Sequence, residues 1–424
     1  MASPNRRARG IMNLRKLNPF TVYRGLPRPV YVIFIATVVN GTGIFVYPFL
    51  ALFLTQRLGY DPAKAGLYLF FASLAYFPGS LIGGKLADAV GRRPVMVGSQ
   101  TLASAAFAAC GFLGDSPLIP VLILANLFFD GITDPARSAM MNDVTVSENR
   151  QSAFALTYLG HNLGYSVGPL LAGFLFVHAT DWLFFGNALM GFLAMALTVC
   201  LVGETKPDGA ELERSATSDE SDRAVEGSVL DAFREKKGLF GFAALMFLYQ
   251  LAYEQTIFSL PLTAVAIFGD RGAAVYGALM SINALSVIFL NAPMVSLTRK
   301  FPTLANVAFA GVLYGLGYVG YAFARDIPLF WACTFLWTLG EIVDAVNTWA
   351  YIANETPKSH RGRFGALINF VSGSGRWVGP AAGGKLIAVA GTAVLWCLTS
   401  ATAFAAAAGV GLMERFSSKR RKRR

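Results

Sequence analysis

Long apolar runs separated by short polar breaks dominate the chain, and the length of the runs indicates membrane-spanning helices. About 20 residues of helix are needed to cross a hydrocarbon core of about 30 Å. Spans are predicted at 30–55, 64–87, 94–114, 118–143, 152–177, 182–203, 239–267, 273–298, 303–324, 327–354, 363–390 and 392–413. The pattern therefore predicts an all-α membrane protein with twelve transmembrane helices.

The composition agrees with this pattern. Hydrophobic residues make up 54% of the 424 residues and charged residues only 14%, whereas soluble proteins keep roughly a quarter of their residues charged. The mean hydropathy is +0.50. An ordinary soluble domain is excluded. The first apolar run is too long for a signal peptide, so it is expected to remain in the protein as a helix.

Lysine and arginine are distributed unevenly between the loops. If both termini are cytoplasmic, 28 of the 36 basic residues lie on the cytoplasmic side, and the external loops hold only Arg57, Lys64, Arg271 and Arg325. Positive charge marks the cytoplasmic side of membrane proteins. This topology, rather than nucleic-acid binding, explains the net charge of +11. We expect a protein of the bacterial cytoplasmic membrane with anionic lipids at its basic tails and no nucleic-acid partner.

A polar stretch rich in Glu, Asp, Ser and Arg divides the chain near its middle and cannot build a core. It predicts a linker between two halves. The expected domains are a basic cytoplasmic tail at 1–29, a six-helix bundle at 30–203, a cytoplasmic linker at 204–238, a second six-helix bundle at 239–413, and a basic cytoplasmic tail at 414–424.

The two halves repeat each other when the chain is shifted by 211 residues. The shift places Arg150 on Arg361 and Asp130 on Glu341. It also superimposes two glycine–proline segments: Gly164, Gly168, Pro169 and Gly173 fall on Gly375, Gly379, Pro380 and Gly384. Internal repeats are typical of secondary transporters, so we predict two pseudo-symmetric six-helix bundles.

The loop between the second and third helices reads Gly-Lys-Leu-Ala-Asp-Ala-Val-Gly-Arg-Arg over residues 84–93. Gly84 and Gly91 allow a sharp turn between two helices. The Asp88 carboxylate is expected to meet a helix N-terminus or Arg92, which is followed by Arg93. The alternative is an ordinary basic cytoplasmic loop.

This motif resembles the G-x-L-x-D-x-x-G-R-R signature of the major facilitator superfamily, and the resemblance covers essentially the whole chain. It implies a transporter that works by alternating access, with the 84–93 loop as part of a gate between the halves. Asp88 and Arg92 would latch the cytoplasmic side in the outward-facing state. Ala89 stands where many relatives have a basic residue. The second-half copy has Ser296 instead of the aspartate, so only the first half is expected to carry a strong latch.

The glycine–proline segments of helices five and eleven predict close helix packing, because small residues four apart bring backbones together and proline bends a helix. They are similar to the G-x-x-x-G-P-x-x-G-G element of the proton-coupled exporter branch, with Ala172 replacing one glycine. This likeness favours export, and generic membrane packing is the alternative. Asp134 to Arg137 also looks like bacterial multidrug-resistance members. However, many drug–proton antiporters carry an arginine earlier in helix four, and this chain has Asn126 and Leu127 in that region instead.

Charged residues inside the predicted helices are the main functional candidates, because such charges are costly. The acids are Asp130, Asp134, Glu254, Glu341 and Asp344, and the bases are Arg137 and Arg376. Glu341 and Arg376 reach similar depths and could pair, and Asp134 is spaced to pair with Arg137. Because acids outnumber bases, some should take up protons. We hypothesise that Glu254, Glu341 and Asp130 include the proton-coupling carboxylates; a purely structural hydrogen bond is each acid's alternative.

Aromatic and amide side chains are the candidates for substrate contact. With nearby acids they would suit a bulky apolar cation. The candidates are Asn40, Tyr47, Tyr158, Tyr249, Tyr253, Phe258, Trp337, Trp349 and Asn369. Packing against neighbouring helices is the alternative for any one of them, since Phe alone accounts for 34 residues.

Together these features predict a proton-driven exporter of amphipathic, drug-like molecules rather than an enzyme. The P-loop pattern G-x-x-x-x-G-K-[ST] does not occur, so the energy source is expected to be a proton gradient, without a cofactor. The four dispersed cysteines predict neither a metal site nor a disulfide. We expect a monomer. The alternatives are a proton-coupled importer of a sugar or amino acid, a lipid or glycolipid flippase, and a non-transporting receptor.

Overall fold

A computed structural model describes residues 23–206, 237–355 and 361–423. Most of the predicted N-terminal tail and linker, and the side chain of Asn369, lie outside the described residues. The α-helices in chain order are α1 (Arg28–Thr42), α2 (Val46–Leu52), α3 (Pro62–Val90), α4 (Arg92–Phe112), α5 (Ile119–Asp143), α6 (Ser147–Tyr165), α7 (Gly168–His178), α8 (Asp181–Leu201), α9 (Lys237–Tyr253), α10 (Gln255–Phe268), α11 (Gly272–Thr298), α12 (Thr303–Phe323), α13 (Ile327–Glu355) and α14 (Arg361–Arg423).

These helices make twelve membrane crossings. Nine stretches of the described residues are long and apolar enough to span a membrane. Two of them, Gly238–Thr298 and Phe370–Lys419, each contain two crossings, separated by the turn Gly269–Arg271 and by a break at Gly391. Helices α6 and α7 form a further crossing that is interrupted after Tyr165. The prediction of twelve transmembrane helices is confirmed.

Local signals explain where the helices begin and end. The Asp61 carboxylate accepts the backbone N–H of Lys64 and caps α3, whose first residue is a proline. Gly91 turns the chain between α3 and α4 with φ +118°, and Gly391 divides α14 with φ +80°. Both are left-handed conformations that glycine adopts without steric cost.

The crossings pack as two bundles. In the first, α3 and α4 both pack on α5, while α1 packs on α6 and α8. In the second, α14 packs on α9 and α12, while α13 packs on α11 and α12. We call the membrane face where α8 ends and α9 begins the linker face, and the opposite one the far face.

The bundles meet towards the far face through contacts that obey the 211-residue repeat. A Cβ on Gly173 would press on Ala273 and Ala274, and one on Gly384 would overlap Pro62 and press on Ala63. Likewise a Cβ on Gly277 would overlap Pro169, and one on Gly66 would overlap Pro380. Backbones this close require glycine. The far face is therefore sealed by two equivalent glycine contacts on each side.

Three segments differ from the spans expected from hydropathy. The first crossing is interrupted inside the membrane after Thr42, whereas the seventh has only a local irregularity at Glu254, whose dihedral angles stay helical (φ −63°, ψ −19°). The shift of 211 residues places Gly43 on Glu254, so the two irregularities lie at the same position of the repeat. The last helix was expected to end at 413 but continues to Arg423, because no glycine or proline follows the end of the apolar run.

Candidate functional site

Three connected cavities lie between the helices near the middle of the membrane. Cavity A, of about 450 Å³, contains Asp130 and Asp134. Cavity B, of about 240 Å³, extends from Asn40 towards the linker face as far as Met96. Cavity C, of about 480 Å³, lies in the second bundle and contains Glu341.

The cavities share lining residues. Cavities A and B share Asn40, Gln100, Arg137, His161 and Gly191, while Tyr158 lines both B and C. Cavity C also extends to Ile352 and Ile368, near the linker face. Cavities B and C therefore extend towards the linker face, cavity A extends as far as Phe107 and Ile123, and the glycine contacts bring the bundles together at the far face.

An acidic cluster occupies cavity A. Arg137 Nη1 lies 3.0 Å from Asp134 Oδ1, so the predicted ion pair is confirmed. The Tyr76 hydroxyl donates to the other oxygen of Asp134 over 2.6 Å. Among the described residues no ion pair is found for Asp130. Its hydrogen-bond partner is the neutral side chain of Gln100, so it is the acid of this cavity whose charge no cation matches in an ion pair.

The predicted pair between Glu341 and Arg376 is wrong. Glu341 accepts hydrogen bonds from the Tyr253 hydroxyl at 3.0 Å and from Asn283 Nδ2 at 2.7 Å. Arg376 Nε donates to Gln250 Oε1 at 2.6 Å, and its guanidinium carbon lies 5.7 Å from the centre of the Tyr253 ring. The two residues share cavity C, but neutral partners hold each of them.

The other two acids are buried and held by hydroxyl groups. Asp344 accepts from Thr348 on the next turn of α13, at 2.7 Å. Glu254 is only 3% exposed and meets the Tyr47 hydroxyl of the opposite bundle at 3.5 Å. Of the five acids, Glu254 is the one with a hydrogen-bond partner across the bundle interface within the described part of the chain.

The aromatic and amide candidates fall into two groups. Five line the cavities as predicted: Asn40, Tyr47, Tyr158, Tyr253 and Trp349. Tyr249, Phe258 and Trp337 are each about 1% exposed, belong to the packed core and do not line cavities A to C, so their assignment to the substrate path stays a prediction.

Hydrogen bonds explain how two of these aromatic side chains can be buried in the core. The Tyr249 hydroxyl donates to the carbonyl of Val307, and the Trp337 indole N–H donates to the Tyr321 hydroxyl. These bonds satisfy the polar atoms inside the second bundle, so the rings serve packing.

Sequence reasoning missed several polar residues of the site, namely Tyr76, Gln100, His161, Gln250 and Asn283. Each is a polar side chain within an apolar helix, and that signal was available in the sequence. A charge inside a membrane helix is costly and therefore indicates a functional site, whereas a neutral amide or hydroxyl is a much weaker signal.

The glycine motifs of helices five and eleven pack as predicted. A Cβ on Gly164 or Gly168 would meet the backbone of α1 around Gly41 and Thr42. A Cβ on Gly375 would meet α9, and one on Gly379 would meet Glu254. Each motif therefore joins the fifth helix of a bundle to the first, and its last glycine joins the two bundles.

The 84–93 segment was expected to be a loop, but residues 84–90 continue α3 and Arg92 begins α4, so Gly91 alone makes the turn. The segment is held within the first bundle. Arg92 Nε lies 2.9 Å from Asp143, at the end of α5, and 3.4 Å separates Arg92 Nη1 from Asp88. The Asp88 side chain is 77% exposed. The expected contact between Asp88 and Arg92 is confirmed, but Asp143 is the closer and more buried partner.

Glu204, rather than Asp88, binds the N-terminus of α4. Its carboxylate accepts the backbone N–H groups of Arg92 at 3.0 Å and Arg93 at 3.1 Å. Partial burial raises the pKa of Glu204, but these backbone hydrogen bonds outweigh it and the pKa lies below its ordinary value. Lys206 Nζ donates to the carbonyl of Ala89 at 2.8 Å and places a cation at the C-terminal end of α3, where the helix dipole favours positive charge.

A family model and several known proteins match this chain. The model described as Major Facilitator Superfamily matches residues 33–380. The chain is 28% identical to the uncharacterized MFS-type transporter YttB of Bacillus subtilis (strain 168), over 85% of this chain and 89% of that protein. It is 23% identical to a Na(+), Li(+), K(+)/H(+) antiporter of Planococcus maritimus, over 79% of this chain and 84% of that protein. It is also 22% identical to the multidrug resistance protein MdtH of Edwardsiella ictaluri, over 38% of this chain and 40% of that protein.

The fold matches solved transporters as well. A POT family transporter in complex with 5-aminolevulinic acid superimposes with a TM-score of 0.75 at 15% identity, over 94% of this chain and 97% of that one. At this identity the likeness shows the fold alone. The relatives and structural neighbours are transporters rather than enzymes. The chain is a multi-pass membrane transporter and belongs to the Major Facilitator Superfamily.

Proposed function

We propose that this transporter exports amphipathic, drug-like molecules in exchange for protons, and that Glu254 carries the coupled proton. The observation behind this proposal is the position of Glu254. It lies within the seventh crossing, is buried, and contacts Tyr47 from the opposite bundle. Ionisable residues buried within membrane helices commonly belong to the proton and substrate paths of transporters.

Alternating access changes the surroundings of this carboxylate. In the present state Glu254 is dry and has one long hydrogen bond to a neutral hydroxyl, so burial favours its neutral, protonated form. When the bundles separate at this level, Tyr47 withdraws and water reaches the carboxylate. A group that is dry in one state and hydrated in the other can take up a proton and release it during each cycle.

Arg376 is the proposed charge partner of the acids in cavity C. Its guanidinium faces the cavity, held by Gln250, and stays charged at all relevant pH values. A fixed positive charge near Glu254, Glu341 and Asp344 lowers the free-energy cost of ionising any one of them. Asp130 in cavity A, which no direct cation neutralises, is the second proposed titrating acid.

The cavity walls suit an amphipathic substrate. Tyr158, Tyr253 and Trp349 offer aromatic faces beside the carboxylates of Glu341 and Asp344. Aromatic rings attract cations through their π faces, and cavities of about 300–1,000 Å³ hold drug-sized molecules. A bulky cation or a neutral amphiphile would be stabilised here.

The proposed direction follows from charge and packing. The linker face carries Arg92, Arg93 and Lys206, and this positive charge supports a cytoplasmic linker face, with both termini on that side of a bacterial cytoplasmic membrane. The present state would then open inward, ready to take substrate from the cell. The similarity to the multidrug resistance protein MdtH supports export of drug-like molecules, and the similarity to the Na(+), Li(+), K(+)/H(+) antiporter supports exchange with protons.

Transport by purified protein in proteoliposomes tests this proposal. A panel of cationic, neutral and zwitterionic amphiphiles is offered with and without an imposed pH gradient. Saturable flux that grows with the gradient and is lost in Glu254→Gln supports the proposal. Asp270→Asn, at an exposed far-face acid, is the matched control and should retain the wild-type flux. Flux that ignores the gradient contradicts proton coupling, and gradient-driven uptake towards the linker face favours the importer.

A further inference from the structure

Ser104 is an unusual hydroxyl in this protein. It lies on α4, is 8% exposed, and its Oγ has no hydrogen-bond partner. By contrast, the buried Ser99 on the same helix donates to the carbonyl four residues earlier: Ser99 Oγ lies 2.7 Å from the Val95 carbonyl oxygen. The hydroxyls of Tyr276 and Tyr318 also lack a partner among the described residues, but neither lines cavities A to C, whereas Ser104 lines cavity A. An unsatisfied buried polar atom is costly, so the free hydroxyl of Ser104 indicates a partner that enters cavity A.

The part of cavity A beside Ser104 and Gly191, which we call the gap, can receive that partner. Gly191 of α8 borders cavities A and B and has no side chain. The point where its Cβ would lie is 3.2 Å from Gln100 Nε2, 3.4 Å from Ser104 Oγ and 3.9 Å from Asn40 Oδ1. Three polar atoms from α1 and α4 therefore surround Gly191, where a side chain would crowd them, and the space open to them is the part of cavity A that these residues line.

The polarity of these atoms defines the ligand. Gln100 Oε1 accepts from Arg137 at 3.4 Å, and the Gln100 amide N–H₂, which also donates to Asp130, has a second N–H to donate into the gap. Asn40 offers a carbonyl oxygen there, and Ser104 can donate or accept. A cation would face the N–H₂ group unfavourably, whereas a hydroxyl both accepts from Gln100 and donates to Asn40.

We propose that this gap is a subsite for an uncharged hydroxyl group of the substrate. The inference rests on the proposed export function and narrows its substrate class to amphiphiles that carry a hydroxyl on the end that enters the first bundle. The charged and aromatic parts of such a molecule would extend towards Asp130 and towards Tyr158, where cavities B and C meet.

Two measurements without a pH gradient test this subsite. The first is thermal unfolding of Ser104→Ala and Ser99→Ala. Both serines are buried on α4, but Ser99 also meets the Thr133 hydroxyl at 2.7 Å. Losing a satisfied hydrogen bond lowers stability, whereas losing an unsatisfied hydroxyl does not. Ser99→Ala should lower the melting temperature, and Ser104→Ala should leave it unchanged or raise it.

The second measurement is equilibrium binding of propranolol, an aromatic amine with one aliphatic hydroxyl, and of deoxypropranolol, which lacks it. Wild-type protein should bind propranolol about three- to ten-fold more tightly, the range that one neutral hydrogen bond supplies. Ser104→Ala should abolish this preference while leaving deoxypropranolol affinity unchanged. Gly191→Ala fills the gap with a methyl group and should do the same.

Three outcomes overturn the subsite: equal affinity of wild-type protein for the two compounds, undetectable binding of both, or a preference that survives in Ser104→Ala. A loss of stability in Ser104→Ala equal to that in Ser99→Ala also overturns it, since the hydroxyl would then serve the fold. These readouts need no gradient, so they are separate from the failure of proton coupling, which appears only as flux that ignores the imposed pH difference.

Discussion

Asp143 should matter more to the stability of the linker-face loop than Asp88, although Asp88 is the residue of the 84–93 motif. The side chains of Arg92 and Asp143 are 10% and 15% exposed and lie 2.9 Å apart, whereas Asp88 is 77% exposed. Removing one partner of a buried ion pair costs about 3–5 kcal/mol, because the other charge stays buried. An exposed pair is worth about 0–1 kcal/mol.

Asp143→Ala should therefore lower the free energy of unfolding by about 3 kcal/mol. The lower end of the range applies because Arg92 keeps the Ala87 carbonyl at 2.9 Å and a weak contact with Asp88. Asp88→Ala should cost less than about 1 kcal/mol, and Asp143→Asn should fall between the two. Denaturant unfolding in detergent, followed by tryptophan fluorescence, measures all three. Equal losses for the Asp88 and Asp143 variants would refute the reasoning.

Three further predictions concern the far seal, the linker and the core. Gly66→Leu forces a side chain against Pro380 and should destabilise the closed far face by about 1–3 kcal/mol. The labelling rate of a far-face cysteine should then rise roughly ten-fold. An unchanged rate would show that the closed far face tolerates the side chain. Glu204→Gln should be less stable than the wild type at neutral pH, because the pKa of Glu204 is lower in the folded protein than its ordinary value of 4.5. This stability difference should vanish as the pH falls from 4.5 through the pKa of the folded state. A difference that persists in acid would contradict the lowered pKa. Tyr249→Phe should cost about 1 kcal/mol of stability and leave transport unchanged, so a transport defect in a stably folded variant would return Tyr249 to the substrate path.

The sequence predicted the crossings well because hydrophobic length is a local property. The repeat of 211 residues also carried over into three dimensions, since Gly66 and Gly277 use equivalent contacts to join the bundles. The end of the last helix was missed because leaving the membrane ends a hydrophobic run but not a helix.

The candidate site was predicted in part. The Asp134–Arg137 pair follows from spacing along one helix, and it was found. Glu341 and Arg376 lie on different helices, and depth alone does not say which way each side chain points. Neutral side chains bind Glu341 and Arg376 instead, and the positions of these side chains depend on tertiary packing. The contact of Glu204 with the start of α4 also depends on tertiary packing, so the sequence indicated only that Glu204 belongs to a polar linker.

The central claim is that substrate and proton exchange at Glu254, and substrate-induced proton release measures this most directly. A compound transported in the proteoliposome assay is added to purified transporter in weakly buffered detergent with a pH-indicating dye. The account predicts release of about one proton per substrate bound by wild-type protein, and loss of that release in Glu254→Gln at saturating substrate. Undiminished release from Glu254→Gln, or binding without any release by the wild type, would contradict it.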